Sequence, residues 1–364
     1  MDSTLKKSLV AARKFIRKNR KCVLLWGVAV LGLGMIVSLF FLLRPLVWDE
    51  GFRNPFARET VVLPPTFLKI GFVNDWEYGS RKRVNHKLTS QASVELRKAV
   101  DYLNNEFKPD LVVGGGDYIE SSAVKKEKAK DQLREVNDIF KTLAAPRLYA
   151  LGNHDMRSLT KAEVREILEM PDNHAVSDMG DWRIVVLDTN FNKEDGSDRS
   201  EKSYVTGYVS GAELSWLRQA LDTDRPVIVF SHHSPLSVPD IAGTSWVRNI
   251  TNEEALRSIL EERGNVVAVV SGHNPRNYYE ERNGIHYFVV DTLVNEPALG
   301  SFTTIELSYL RSDRYAEMVL EQHGIRPDQH IVDWQYEEKE RDILPDPIRQ
   351  SEPESEDEVL EWYE

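Results

Sequence analysis

Short apolar runs alternate, through the middle of the chain, with longer segments whose apolar residues recur every three or four positions. In residues 89–107 this helical spacing is set by Val94, Leu96, Val100 and Leu103. The alternation predicts an α/β fold with strands buried between helices. Predicted strands are 67–74, 111–113, 147–151, 182–187, 227–230, 266–270, 286–290 and 302–307; predicted helices are 89–107, 125–143 and two segments opened by the capping-box pairs Ser210/Glu213 and Thr251/Glu254.

A different pattern precedes this body. Residues 23–43 carry no charge, and as a helix these 21 residues would extend about 31 Å, the thickness of a bilayer core. Residues 1–22 hold eight Lys and Arg against one acid, so the positive-inside rule places this end in the cytoplasm. We therefore predict a single-pass protein of the cell membrane, with residues 44–66 as an extracytoplasmic stalk. The alternative is a cleaved signal peptide, whose apolar region is usually only about 7–15 residues long.

Composition limits the partners and the covalent cross-links that the chain can have. The net charge of −12 argues against a nucleic-acid partner, and the single cysteine, Cys22, excludes an intramolecular disulfide framework. From Asp333 onward, thirteen acidic residues face three basic ones. We therefore predict that residues 67–330 form the folded domain and that residues 331–364 form an acidic, disordered tail.

Five predicted strands are followed by clusters of polar residues. Because ligands bind outside the carboxyl ends of strands in an open α/β sheet, we expect these clusters to meet in one pocket. Their carboxylate, amide and imidazole groups suit a pair of hard or borderline divalent ions. The clusters are NDWE at 74–77, GD at 116–117, GNHD at 152–155, HHSP at 232–235 and GH at 272–273.

This ordered series resembles the motifs of the calcineurin-like metallophosphoesterase superfamily, closest to its bacterial and purple-acid-phosphatase-like members, and GNHD is the most specific part. The resemblance implies a four-layer αββα sandwich of two mixed sheets flanked by helices, with a dinuclear metal centre between the sheets. It further implies that Asp75 binds the first ion and that Asp117 bridges both ions. The ligands implied for the second ion are Asn153, His273 and one histidine of the next pair, either His233, favoured by the H-x-P spacing, or His232.

The same resemblance implies metal-assisted hydrolysis of a phosphate mono- or diester by an activated water. His154 would contact the scissile ester and protonate the leaving oxygen. Asp155 would fix the tautomer of His154, the usual task of a carboxylate beside a working imidazole.

Two positions depart from the family pattern, and both affect the first ion. Glu77 and Pro275 stand where the family usually has histidines, and Glu120 stands where purple acid phosphatases have a tyrosine ligand. An oxygen-rich first site of Asp75, Glu77 and Asp117 would bind its ion more weakly than the second site, unless Glu120 supplies a further ligand. It would suit Mn²⁺ best, with Fe, Mg²⁺ or Zn²⁺ as alternatives.

The sequence thus predicts a membrane-anchored, metal-dependent phosphoesterase whose substrate is a phosphorylated small molecule or a lipid-linked phosphate. Glu77 and Pro275 sustain an alternative, in which the chain is a degenerate member of the fold that acts as a binding protein of the cell envelope.

Overall fold

The computed structural model describes residues 64–122, 124–200, 204–239, 246–247 and 249–336. Fourteen strands and five α-helices occur in these ranges. The strands are β1 Thr66–Val73, β2 Leu111–Gly114, β3 Arg147–Tyr149, β4 Ala175–Met179, β5 Trp182–Leu187, β6 Val227–Ser231, β7 Val238–Pro239, β8 Trp246–Val247, β9 Val266–Ser271, β10 Tyr278–Arg282, β11 Ile285–Val289, β12 Phe302–Leu310, β13 Tyr315–His323 and β14 Asp328–Gln335. The helices are α1 Ala92–Tyr102, α2 Lys126–Phe140, α3 Lys161–Leu168, α4 Gly211–Ala220 and α5 Glu253–Glu262.

Twelve of the strands form two mixed six-stranded sheets. The first sheet has the order β14-β13-β12-β1-β2-β3, in which β1, β2 and β3 run parallel and the remaining pairs are antiparallel. The second has the order β10-β11-β9-β6-β5-β4, in which the four central strands run parallel and both edge strands are antiparallel. Parallel strands end at a common edge, so each sheet gathers the loops that follow its central strands at one edge.

Three buried apolar clusters hold these layers together. One lies between the sheets, where Phe72 of β1 meets Phe230 of β6 with ring centroids 5.3 Å apart. A second joins α1, α2 and α3 to the first sheet, and a third joins α4 and α5 to the second sheet. Helix, sheet, sheet and helix therefore follow one another, and the prediction of two mixed sheets flanked by helices is confirmed.

The longer elements that sequence analysis missed are rich in polar residues. They are α3, β4, β10, β13 and β14, and the two-residue strands β7 and β8 were missed as well. In β13 buried and half-buried residues alternate strictly, because one face packs on the core while the other carries charged residues. Residues 331–335 of the predicted acidic tail lie within β14, which continues the first sheet to Gln335.

Neither of the two predicted capping boxes forms completely. Ser210 caps α4 by accepting from the Glu213 backbone N–H at 3.1 Å, but the Glu213 carboxylate accepts from the Asp188 N–H instead of returning to Ser210. The prediction of a capping box at Thr251 is wrong. Asn252 is the N-cap of α5, and its side chain exchanges hydrogen bonds with the backbone of Val209.

The predicted cytoplasmic segment, membrane helix and nearly all of the stalk lie outside the described residues, as does the tail beyond residue 336. In the part of the chain that the structure describes, none of the helices is long and apolar enough to cross a membrane.

Candidate metal centre

The five polar clusters meet where the two sheets face each other. Asp75, Asp117 and Asn153 lie on the loops after β1, β2 and β3, whereas His232 and His273 follow β6 and β9. Hydrogen bonds join the loops, from Asp75 N–H to the Gly116 carbonyl at 3.0 Å and from His273 N–H to Asp75 Oδ2 at 3.0 Å. The second of these bonds crosses from one sheet to the other and closes the site.

The backbone at this site is held in an unusual conformation. Asp75, Glu77, Asp117 and His273 all have positive φ, between 44° and 68°. Residues other than glycine rarely adopt this region, and such strain is typical of functional sites. Space is equally restricted, because a Cβ atom on Gly152 would lie 2.2 Å from Asp117 Oδ1. The loops are therefore built to aim polar side chains into one place.

Three groups of potential ligand atoms lie within 4.8 Å of one another. They are Asp75 with Asp117 and His232; His232 with His233 and His273; and Glu77 with Glu120 and His154.

His232 is the central imidazole of the pocket. Its Nδ1 donates to the Gly115 carbonyl at 2.9 Å, which directs Nε2 into the site. This Nε2 atom lies close to three other potential metal-ligand atoms, which are Asp117 Oδ2 at 3.3 Å, Asn153 Oδ1 at 3.1 Å and His273 Nδ1 at 3.2 Å. A backbone carbonyl behind a ligating imidazole is the usual arrangement in metal sites.

His233, the histidine favoured by the H-x-P spacing, has both ring nitrogens engaged elsewhere. Its Nε2 donates to the Val205 carbonyl at 2.9 Å, so Nδ1 accepts from the Thr189 hydroxyl at 2.7 Å. The geometry therefore favours His232 as the ligand. Although burial disfavours the charged form, Asp117 raises the pKa of His232 to about 9, whereas burial and His232 lower the pKa of His233 well below its usual value.

Asn153 and Asp117 are oriented by their second polar atoms. Asn153 Nδ2 donates to the Tyr204 carbonyl at 2.9 Å, so its Oδ1 points to His232. Asp117 Oδ1 accepts from the His154 backbone N–H at 2.7 Å, which leaves Oδ2 facing the imidazoles. Two oxygens and two imidazole nitrogens converge in this way, a donor set that fits a divalent transition ion.

Asp155 does not lie beside the His154 ring, as the resemblance implied. Its two oxygens accept from backbone N–H groups beneath the Asp117 loop, at distances of 2.8 to 3.2 Å. The donors are Asp117, Tyr118, Ile119 and Gly152. Asp155 therefore braces the loop that carries the predicted bridging carboxylate.

The partner of His154 is Glu120. Nδ1 of His154 lies 2.7 Å from Glu120 Oε2 and 2.9 Å from Arg157 Nη1, while Nε2 faces Asp117 Oδ2 at 3.9 Å. Burial opposes protonation, but Asp117 and Glu77 outweigh it and raise the pKa of His154. Glu120, and not Asp155, is therefore the carboxylate beside this ring, and Nε2 faces the pocket.

Two further basic residues at the site were missed by sequence analysis. Arg157 reaches His154 from the 3₁₀ turn after GNHD, and Lys87 donates from Nζ to Glu77 Oε1. Glu77 is fully buried, and its Oε2 has no hydrogen-bond partner among the described residues. Burial raises the pKa of Glu77 to about 7, although the Lys87 ammonium acts in the opposite direction. No sequence motif contains Lys87, and only the folded loop after β1 shows that its side chain reaches the site.

Comparison with known proteins agrees with this geometry. The family model for calcineurin-like phosphoesterases matches residues 68–277, more than half of the chain. The fold and the convergent ligands define a metal-binding α/β hydrolase of phosphoric esters. The chain belongs to the calcineurin-like phosphoesterases.

Two relatives illustrate the range of the similarity. A 3',5'-cyclic-nucleotide phosphodiesterase of Nostoc sp. is 22% identical over 203 residues, which cover 55% of this chain and 67% of that protein. The crystal structure of a dimetal phosphatase from Danio rerio superimposes with a TM-score of 0.59 at 17% identity, covering 74% of this chain and 99% of that one. The structural likeness extends the agreement to the fold.

Proposed function

We propose that this chain is a membrane-anchored phosphoesterase of the cell surface that hydrolyses a phosphate mono- or diester with a divalent metal ion, Mn²⁺ fitting best. The observation that carries the proposal is the convergence of Asp117, Asn153, His232 and His273 around one point. A diester is included because the Nostoc relative is named for a cyclic diester. Fe, Mg²⁺ and Zn²⁺ are the alternative ions.

Each residue then has a defined task. Asp117, Asn153, His232 and His273 would hold the ion, and a bound ion would polarise the phosphoryl group and lower the pKa of a water. His154, whose pKa is raised by its carboxylate neighbours, would donate a proton from Nε2 to the leaving oxygen. Asp155 keeps the Asp117 loop in place throughout.

A cavity beside the site supports a substrate with a second anionic group. It has a volume of about 310 Å³ and includes Glu120 in its wall. Three basic side chains, Arg81, Lys125 and Lys128, also line it. Since these three basic side chains outnumber the single carboxylate and attract anionic groups, we propose that the remainder of a phosphorylated substrate lies here.

The membrane location is supported by the sequence alone. Residues 23–43 are uncharged, and the run of eight basic residues lies before them, within residues 1–22. We propose that the phosphoesterase domain is extracytoplasmic, facing small phosphorylated molecules or lipid-linked phosphates. Protease added to intact cells should release the domain by cutting within residues 49–66. A protected domain with an accessible N-terminus would reverse the proposed orientation.

The activity is tested on the purified full-length chain with p-nitrophenyl phosphate and bis(p-nitrophenyl) phosphate. We expect hydrolysis that chelation abolishes and Mn²⁺ restores. Asp117→Asn should lose both bound metal and activity, whereas Asp195→Asn, at an exposed loop carboxylate, should keep both. Turnover that persists without metal would contradict the mechanism. Metal binding without turnover of either ester would favour the alternative, a degenerate binding protein.

A further inference from the structure

Lys87 brings a positive charge into the part of the site where the family pattern expects the first ion. Its Nζ donates to Glu77 Oε1, and its charge interacts with Asp117 and Asp75 as well. The Lys87 side chain is only 16% exposed and that of Glu77 is 0% exposed. The ammonium is therefore enclosed with carboxylates, not with solvent.

The backbone fixes this placement. Val84 and Lys87 exchange two hydrogen bonds, of 3.0 and 2.9 Å, across a tight turn in which Asn85 has a φ of 53°. Asparagine tolerates this conformation better than most residues. The turn is tied to the loop before β12, because the Glu296 N–H donates to the His86 carbonyl at 2.9 Å. Lys87 therefore extends from an anchored turn.

Several of the atoms that a first site would use already have other contacts. Asp75 Oδ2 accepts from Asn74 Nδ2 at 2.7 Å and from the His273 N–H. Pro275 has no donor atom in its side chain, and its carbonyl accepts from Asn295 Nδ2 at 3.1 Å. Glu120 contacts His154 and accepts from the Ser122 N–H. Sequence analysis predicted a weak first metal site built from carboxylates, whereas these contacts indicate that the Lys87 ammonium occupies this part of the site.

We propose that the Lys87 ammonium replaces the first metal ion, so that the chain binds a single divalent ion at Asp117, Asn153, His232 and His273. An ammonium is a compact point charge with three donors. One donor binds Glu77, and the other two are available to a phosphoryl oxygen. The inference rests on the proposed metal-dependent function, and its test therefore counts ions without substrate.

The test is the stoichiometry of Mn²⁺ bound to the purified full-length chain, measured by equilibrium titration and elemental analysis. We expect one ion in the wild type. Lys87→Met keeps the length of the side chain and removes its charge, which frees Glu77. This variant should bind a second ion at least about tenfold more tightly than the wild type does, with the magnetic coupling of two adjacent Mn²⁺ ions in its EPR spectrum.

Lys98→Met is the matched control. Lys98 pairs with Glu95 on the surface of α1 and is 66% exposed, so its removal should leave the count at one. Two ions of similar affinity in the wild type would overturn the inference, and so would a folded Lys87→Met variant that still binds one. If Lys87→Met fails to fold, the wild-type count decides alone. A wild type that binds no ion contradicts the proposed function itself.

Discussion

The backbone N–H of His273 donates to Asp75 Oδ2 at 3.0 Å, although the two residues are 198 positions apart. Asp75 follows the central strand of one sheet and His273 follows a central strand of the other. The bond therefore ties the two sheets at the edge where the candidate metal ligands lie. It also makes the geometry of the site depend on how the sheets pack, so that changes behind the ligands should alter metal affinity.

Substitutions of the adjacent residues His232 and His233 should have different effects on metal affinity. His232→Asn removes the imidazole at the centre of the ligand cluster, so we expect the loss of Mn²⁺ binding in equilibrium titration. His233→Asn removes bonds to Thr189 and Val205 and should lower the melting temperature while metal binding persists. The reverse pattern would show that the H-x-P spacing identified the ligand correctly and that the geometric argument fails.

Asp155→Asn should weaken both the fold and the metal site. An amide in place of the carboxylate would turn its NH₂ group toward two of the four backbone donors, at a cost on the order of 3 kcal/mol. Because the Asp117 loop would shift, Mn²⁺ affinity should fall by about 10- to 100-fold. Asp110→Asn is the control, since Asp110 accepts from a single exposed backbone N–H. Unchanged Mn²⁺ affinity in Asp155→Asn would mean that the loop holds its shape without the brace.

His154→Ala should separate catalysis from metal binding. The ring faces Asp117 but is not among the four proposed ligands, so the ion should remain bound. Loss of a positioned proton donor should lower kcat by about 10²–10⁴-fold for an alkyl phosphate, and less for an aryl ester with a good leaving group. Equal losses for both esters would argue against proton donation and for a purely structural position.

The charged wall of the cavity beside Glu120 should act on substrate affinity. Lys125→Ala and Lys128→Ala should each raise KM about fivefold for esters that carry a second anionic group, with little change in kcat. Lys126→Ala is the matched control, because Lys126 pairs with Glu163 and does not line the cavity. If Lys125→Ala and Lys128→Ala leave KM as unchanged as the control does, the substrate binds elsewhere on the domain.

The free energy of unfolding should fall as the pH rises, because His174 and Glu213 form a partly buried pair that binds protons. Burial lowers the pKa of His174, but the 2.8 Å bond to Glu213 outweighs it and raises the pKa, while burial raises the pKa of Glu213. Both groups thus bind protons more tightly in the folded chain. The His174 contribution is complete below about pH 6.5 and is lost as the pH rises through the raised pKa.

Thermal melting can isolate this contribution. The stability difference between wild type and His174→Gln should shrink by about 1 kcal/mol between about pH 6 and pH 9. In a Glu213→Gln background the same comparison should show a smaller change, because only the weaker interaction with Asp172, 3.8 Å away, remains. A difference that is constant with pH would assign the role of His174 to its stacking on Trp216, at 3.7 Å between ring centroids.

The central strands and the order of the polar clusters were predictable because each is a local signal. Val227–Ser231 is fully buried, so a short apolar run marks it. The choice between His232 and His233 was not predictable, because successive side chains of an extended chain point to opposite sides and a one-residue difference reverses which enters the site. Lys87 was equally out of reach, because its contact with Glu77 depends on a turn tied to the distant loop before β12.

The pairing of β1 has a consequence for the synthesis of the chain. β1 lies between β2 and β12, and its register with β12 joins Ile70 to Ile305. β1, the first strand among the described residues, therefore keeps one open edge until more than two hundred further residues have been made. Unpaired strand edges promote aggregation, and non-local strand pairing is slow. We therefore expect the nascent domain to need protection by a chaperone until residues 302–310 have emerged, and shorter chains to accumulate as insoluble or degraded products.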